Sequence, residues 1–183
     1  MRWSHVMFSI LWVGNSFLFN YLDNKLEKNM NNQFMQKAIK LSIKSVNNGT
    51  GPFGAVIAKE NKIISEGYNT VTSSNDPTLH AEISAIRNAC KKVNNFSLKG
   101  FDLYTTCEPC PMCLSAIYWA RINNVYYANT RADAKKIGFD DSLIYEELNK
   151  NIKERKILMH QIMRTEALKA FELWDKKMDK VKY

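Results

Sequence analysis

A chain of 183 residues is long enough for one domain with a proper core and too short to make two domains the expectation. Hydrophobic residues at 45% and charged residues at 24% are ordinary for a soluble globular protein, and the sequence shows neither an internal repeat nor a low-complexity linker. The formal net charge of +8 would suit a nucleic-acid partner. The lysines are scattered, however, and pairs such as Lys135-Lys136 and Lys176-Lys177 read as a solvated face. Three of the four cysteines fall between Cys107 and Cys113, which argues for metal binding over disulfides and for a reducing, cytoplasmic setting.

Val6 to Phe19 is mostly apolar behind Arg2, like the charged start and short core of a signal peptide. Gly14, Asn15 and Ser16 interrupt it, it is too short for a good membrane span, and no clear small-x-small cleavage site follows. Met30 opens a clean amphipathic segment, so residues 1–29 are read as a dispensable extension and 30–183 as a single domain.

Helical spacing of Phe34, Ala38 and Leu41 predicts a helix over 31–47, ended by Asn48-Gly49-Thr50-Gly51-Pro52. Phe53 to Ala58 and Ile63 to Tyr68 read as a hairpin turned by Lys59-Glu60-Asn61-Lys62. After a polar loop over 69–75, Asp76 is the expected cap of a helix with Pro77 at its first position, running to about Lys92. A strand follows within 98–106, then a helix from Pro111 to Ala120 and a short strand over 124–128. Two short helices are expected at 132–137 and 142–148, a last strand at 157–163, and a final helix over 165–180 with Leu168, Phe171 and Trp174 on one side. The order predicts a three-layer α/β/α domain with a mixed, roughly five-stranded sheet, the hairpin antiparallel and the later strands mostly parallel.

Two stretches carry the chemistry: Asp76-Pro77-Thr78-Leu79-His80-Ala81-Glu82, and Thr105-Thr106-Cys107-Glu108-Pro109-Cys110-Pro111-Met112-Cys113. Pro109 disfavours helix at Glu108, and Pro111 suits a first helical position. Cys110 then sits at the cap and Cys113 in the first turn, where their sulfurs can face one point, while Cys107 stays behind on extended chain. A helix N-terminus also favours thiolate over thiol. With His80 as third ligand, the set is one imidazole and two thiolates, which suits a zinc ion with an open position for water. Glu82 lies two residues from His80, about 200° around a regular helix at ~100° per residue. It is better placed to move protons than to ligate. The alternative is a closed structural site of His80 with all three cysteines. Cys90, His5 and His160 read as structural residues.

H-x-E followed by P-C-x-x-C is the signature of zinc-dependent base deaminases. From about Asn31 to the end the chain resembles the cytidine-deaminase-like superfamily and, within it, the bacterial guanine deaminases. The blocks Gly51-Pro52-Phe53-Gly54-Ala55-Val56-Ile57, Ala116-Ile117-Tyr118-Trp119-Ala120-Arg121 and Gly138-Phe139-Asp140-Asp141, and the tail ending Lys182-Tyr183, carry the narrower resemblance. The resemblance implies one zinc per subunit and conversion of guanine to xanthine and ammonia. Zinc-activated hydroxide would attack the purine C2, with Glu82 as proton shuttle and Asp141 as second acid. It implies that Phe53 and Trp119 line a purine pocket, that Asn69 and the Ala81 N–H bond the base, and that Asp141 contacts it. Tyr183 would close the pocket from a C-terminal segment exchanged within a homodimer. Read without the family, Phe53 and Trp119 are core aromatics, Asn69 a turn residue, Asp141 a helix cap and Tyr183 a frayed end. Leu114-Ser115 and the N-terminal extension depart from the family pattern. The tRNA adenosine deaminases share the zinc motifs and are the competing reading; a nucleic-acid substrate is otherwise not expected, nor a membrane partner.

Overall fold

The structure, a computed structural model, describes residues 4–182, with side chains from Asn20 onward apart from Asp23. Tyr183 and the side chains of residues 6–19 therefore lie outside the described residues. The expected helix over 31–47 is the C-terminal part of a longer one, α1 (Ser4–Asn47). Among its described side chains, α1 buries those of Phe34, Ala38, Leu41 and Ser45 and none before Phe34.

The sheet comprises β1 (Gly54–Lys59), β2 (Lys62–Tyr68), β3 (Asp102–Cys107) and β4 (Asn124–Asn129) in the order β2-β1-β3-β4. β1 pairs antiparallel with β2 and β3, and β3 pairs parallel with β4. Successive side chains of a strand point to opposite faces. Accordingly Val56, Ala58 and Tyr104 pack under α1 with Phe34, Ala38 and Leu41. Ala55, Ile57 and Leu103 face the other way, into a core with Ala81, Ala85, Ile86 and Ala89 of α3 (Ala81–Val93) and Ile117 of α4 (Pro111–Trp119). The three expected layers are present.

Two glycines set how closely the layers approach. A Cβ on Gly54 would lie 2.2 Å from the Ala38 carbonyl oxygen, and one on Gly67 would lie 2.3 Å from that of Ala81. Gly67 pairs with Ala55, next to Gly54, so α1 and α3 cross the hairpin on opposite faces at adjacent positions.

α3 begins later than its sequence suggests. Asp76 spends its carboxylate on a local turn, accepting from the Thr78 N–H at 2.8 Å and the Thr78 hydroxyl at 2.7 Å. The cap position falls instead to His80, with extended dihedrals. The polar loop before it contains one helical turn, α2 (Val71–Ser74). Beyond the sheet come α5 (Arg131–Lys136), capped by a reciprocal Thr130–Asp133 box, α6 (Ser142–Leu148) and α7 (Arg164–Lys176). The stretch 157–163 forms no strand, so the sheet of the described residues has four strands. Ile157 is 81% exposed, Phe171 is 74% exposed, and no residue of α7 is buried. No helix among the described residues is long and apolar enough to cross a membrane.

Candidate active site

The site forms where two helices start side by side. His80 caps α3 and Cys110 caps α4, both with extended backbone, and Pro111 opens α4 at its first position. Cys113 follows one turn later, fully buried. The His80 Nδ1 lies 3.6 Å from the Cys110 Sγ and 3.5 Å from the Cys113 Sγ. A tetrahedral zinc with Zn–S near 2.3 Å and Zn–N near 2.0 Å needs N···S edges of about 3.5 Å. Both N···S distances match such an ion, and all three donor atoms lie within 4.8 Å of one another, so the set is of a size to hold it.

Their proton affinities suit ligation. The Cys110 thiolate accepts a hydrogen bond from the Cys113 thiol and another from His80, which holds Cys110 down to about 4. The same hydrogen bonds push Cys113 up and raise His80. A divalent cation would take the place of those protons.

Cys107 is not a member of this cluster. It ends β3, its Sγ donating to the Thr130 carbonyl oxygen at 3.7 Å, and burial pushes it up to about 11. It is a neutral thiol beside the site.

Glu82, the second residue of α3, is 5% exposed. Thr105 donates its hydroxyl to Oε1 at 3.2 Å, and Oε2 lies 3.5 Å from the Cys113 Sγ. Burial raises this carboxyl above its ordinary range. The sheet supplies the Thr105 anchor and the helix start supplies the carboxylate, so Glu82 is held beside the ligands without being one of them.

These groups open into a cavity of about 860 Å³ lined by Phe53, Asn69, His80, Glu82, Cys110 and Asp141 among others. Asn69 is buried, and its Oδ1 accepts from the Val71 N–H at 3.1 Å. Ala81 is buried behind His80; as the first residue of α3 its N–H is one that a helix leaves without an internal partner. Asp141 occupies the cap position of α6 yet makes no capping bond. The neighbouring Asp140 does the turn's work, accepting from the Ser142 N–H at 3.0 Å and from its hydroxyl at 2.5 Å. Asp141 is thereby left facing the cavity, its carboxyl raised by burial and partly restored by Arg131.

Trp119 stands apart from this group. It ends α4, is 64% exposed and is not among the lining residues. The lining runs no further along the chain than Ile144, so no described part of the C-terminal arm covers the cavity of its own chain. Sequence reasoning did not single out Arg131, Ile137 or Phe139, which also line it. The Arg131 guanidinium lies 4.2 Å above the Tyr145 ring, and the Arg131 backbone N–H donates to the Glu108 carboxylate at 3.1 Å. Phe139 lies inside the Gly138-Phe139-Asp140-Asp141 block that carried the resemblance, and the one signal for Arg131 and Ile137 was their closeness to it.

Comparison with known proteins agrees with this geometry. Residues 28–129 match the family described as the cytidine and deoxycytidylate deaminase zinc-binding region. Residues 1–50 also match a family described as urate oxidase N-terminal. The chain is 52% identical to guanine deaminase of Bacillus subtilis (strain 168) over 151 residues, 82% of this chain and 97% of that protein. The crystal structure of guanine deaminase from Bacillus subtilis superposes with a TM-score of 0.80 at 51% identity, covering 83% of this chain and 98% of the other. A tRNA-specific adenosine deaminase of Buchnera aphidicola is 38% identical over 144 residues, 79% of this chain and 93% of that protein. A His/Cys/Cys corner with a buried glutamate beside it, in a chain matched so far along its length, is a zinc-dependent hydrolytic deaminase site, and the chain belongs to the bacterial guanine deaminases of the cytidine-deaminase-like superfamily.

Proposed function

We propose that this chain hydrolyses guanine to xanthine and ammonia, with Glu82 carrying protons and Asp141 assisting. The observation that carries the reading is one cavity holding a buried carboxylate beside three ligand atoms and a second, uncommitted acid, Asp141. His80, Cys110 and Cys113 would hold one zinc per subunit. Zinc bound there supplies activation of a water molecule, bringing its pKa to about 7.

The chain's own residues do the rest. Glu82, fixed by Thr105, takes the proton released from water and returns it to a ring nitrogen as the purine C2 is attacked. Losing ammonia needs a further proton at the amine, which Glu82 and Asp141 together move there from the new C2 hydroxyl as it becomes the carbonyl. Phe53 lies against the flat base. Asn69 has its Oδ1 engaged by Val71, which leaves its NH2 to meet a purine acceptor. The Ala81 N–H, at a helix start, is suited to a ring atom that gains negative charge.

Trp119 and Tyr183 enter this reading only through a second copy of the chain. The exposed Ile157, Leu158, Ile162 and Phe171 form an arm with apolar surface that the described residues of its own chain leave uncovered. Exchanged within a homodimer, that arm would bury those residues, cover the surface around Trp119 and bring Tyr183 to close the cavity. A closed pocket excludes water and selects a free base over a polynucleotide.

The second reading is a tRNA adenosine deaminase, favoured by the identity to the Buchnera aphidicola protein and by the net charge. Incubating zinc-loaded protein with guanine, adenosine, cytosine and tRNA separates the two. Xanthine and ammonia from guanine are expected; inosine in tRNA without xanthine would overturn the proposal.

A further inference from the structure

The mechanism above leaves unused one wall of the cavity, the stretch 137–140 that leads from α5 to Asp141. Phe139 on this loop meets Phe53 edge to face, with ring centroids 4.9 Å apart and planes at 87°. Phe139 is only half-buried, yet its backbone is fixed from three sides. Its N–H donates to the Ala134 carbonyl at 3.0 Å. Gly138, at φ +95°, makes the turn that delivers it. Asp140, on its other side, is tied to Ser142 and pairs with Lys135 at 2.9 Å. The ring is therefore held at the rim by its loop.

Beneath the pair lies Gly51. A Cβ there would sit 3.2 Å from the Phe53 Cδ2 and 3.3 Å from the Phe139 Cζ, tight against both rings. With a Cβ there, one or both rings would have to give by a few tenths of an ångström. Phe53, Phe139 and Gly51 thus form one built corner, and all three line the cavity that holds Glu82 and Asp141.

The geometry points to Phe139 as a substrate-binding, specificity-determining residue, which with Phe53 seats a purine base in a two-sided aromatic corner. A single ring offers one plane, on which a flat base can slide. A second ring at right angles stops the slide and fixes how far the base reaches toward Glu82. Phe139 is two residues before Asp141, so one loop sets both the wall and the acid. This inference rests on the guanine reading above and adds to it the residue that fixes the base within its plane.

The test measures KM and kcat for guanine, zinc content and thermal midpoint in the zinc-loaded protein and in Phe139→Leu, Phe139→Tyr and Gly51→Ala. Phe139→Leu is expected to raise KM about 3- to 10-fold, the usual worth of an aromatic contact, with kcat within about twofold and zinc unchanged. Phe139→Tyr keeps the ring and should stay near the wild-type KM. Gly51→Ala removes no ring but displaces both, and should raise KM as well. It also keeps the inference falsifiable if Phe139→Leu folds poorly. Wild-type KM in both Phe139→Leu and Gly51→Ala, at full zinc content, would overturn the corner while leaving the deamination intact. A wild-type chain that makes no xanthine would instead sink the underlying guanine reading, and the corner with it.

Discussion

Two prolines decide which sulfurs meet. Pro109 keeps the chain extended through Glu108 and Pro111 starts α4, so Cys110 and Cys113 turn toward His80 while Cys107 remains on β3. Cys107→Ser should therefore keep full zinc content and activity within a few-fold, whereas Cys110→Ser should lose zinc; metal analysis of both proteins checks this. Glu82→Gln preserves the shape at the ligands but cannot take a proton. It should bind zinc as the wild type does and lose about 10²- to 10⁴-fold in kcat; near-normal turnover would remove Glu82 from the chemistry. Much at this scale was legible, because proline and cysteine act through covalent geometry that sequence displays directly. What misled was Asp76, a good cap by type. Its carboxylate is consumed by Thr78 two residues on, and the helix starts at the metal ligand instead. For Asp141 the sequence left cap and acid equally open; Asp140 takes over the turn, and Asp141 makes no capping bond.

At the scale of elements, the hairpin, the buried helices and the layer order followed from apolar periodicity, since a strand buried on both faces and a helix buried on one leave different patterns. Periodicity did not reveal the helix crossings at Gly54 and Gly67, where a missing side chain is the signal. Gly54→Ala places a methyl group against the α1 backbone and should destabilise the fold by roughly 1–3 kcal/mol, read as a lower thermal midpoint. An unchanged midpoint would mean that α1 is loosely seated. The apolar stretch 157–163 misread as a strand for a related reason. Apolar residues mark a segment that will be covered, without saying whether a sheet or another surface covers it.

The whole molecule divides into a packed α/β/α body and an arm beyond Leu148 whose apolar residues, Ile157, Leu158 and Phe171 among them, are exposed. Such a surface suits an exchanged segment, and the arm's last residue, Tyr183, is the proposed lid. Truncation after Lys156 should convert a dimer into a monomer by light scattering and cost most of the guanine turnover. Removing Tyr183 alone should keep the dimer and weaken turnover. A truncated chain that stays dimeric and fully active would refute the exchange. The central claim, a zinc-dependent guanine deaminase site built from His80, Cys110, Cys113 and Glu82, has a direct measure in xanthine formation against zinc bound per chain. Metal-stripped protein should make no xanthine, and activity should return in proportion to zinc and level off at one ion per chain. Full xanthine formation without zinc, or none at one zinc per chain, would contradict it.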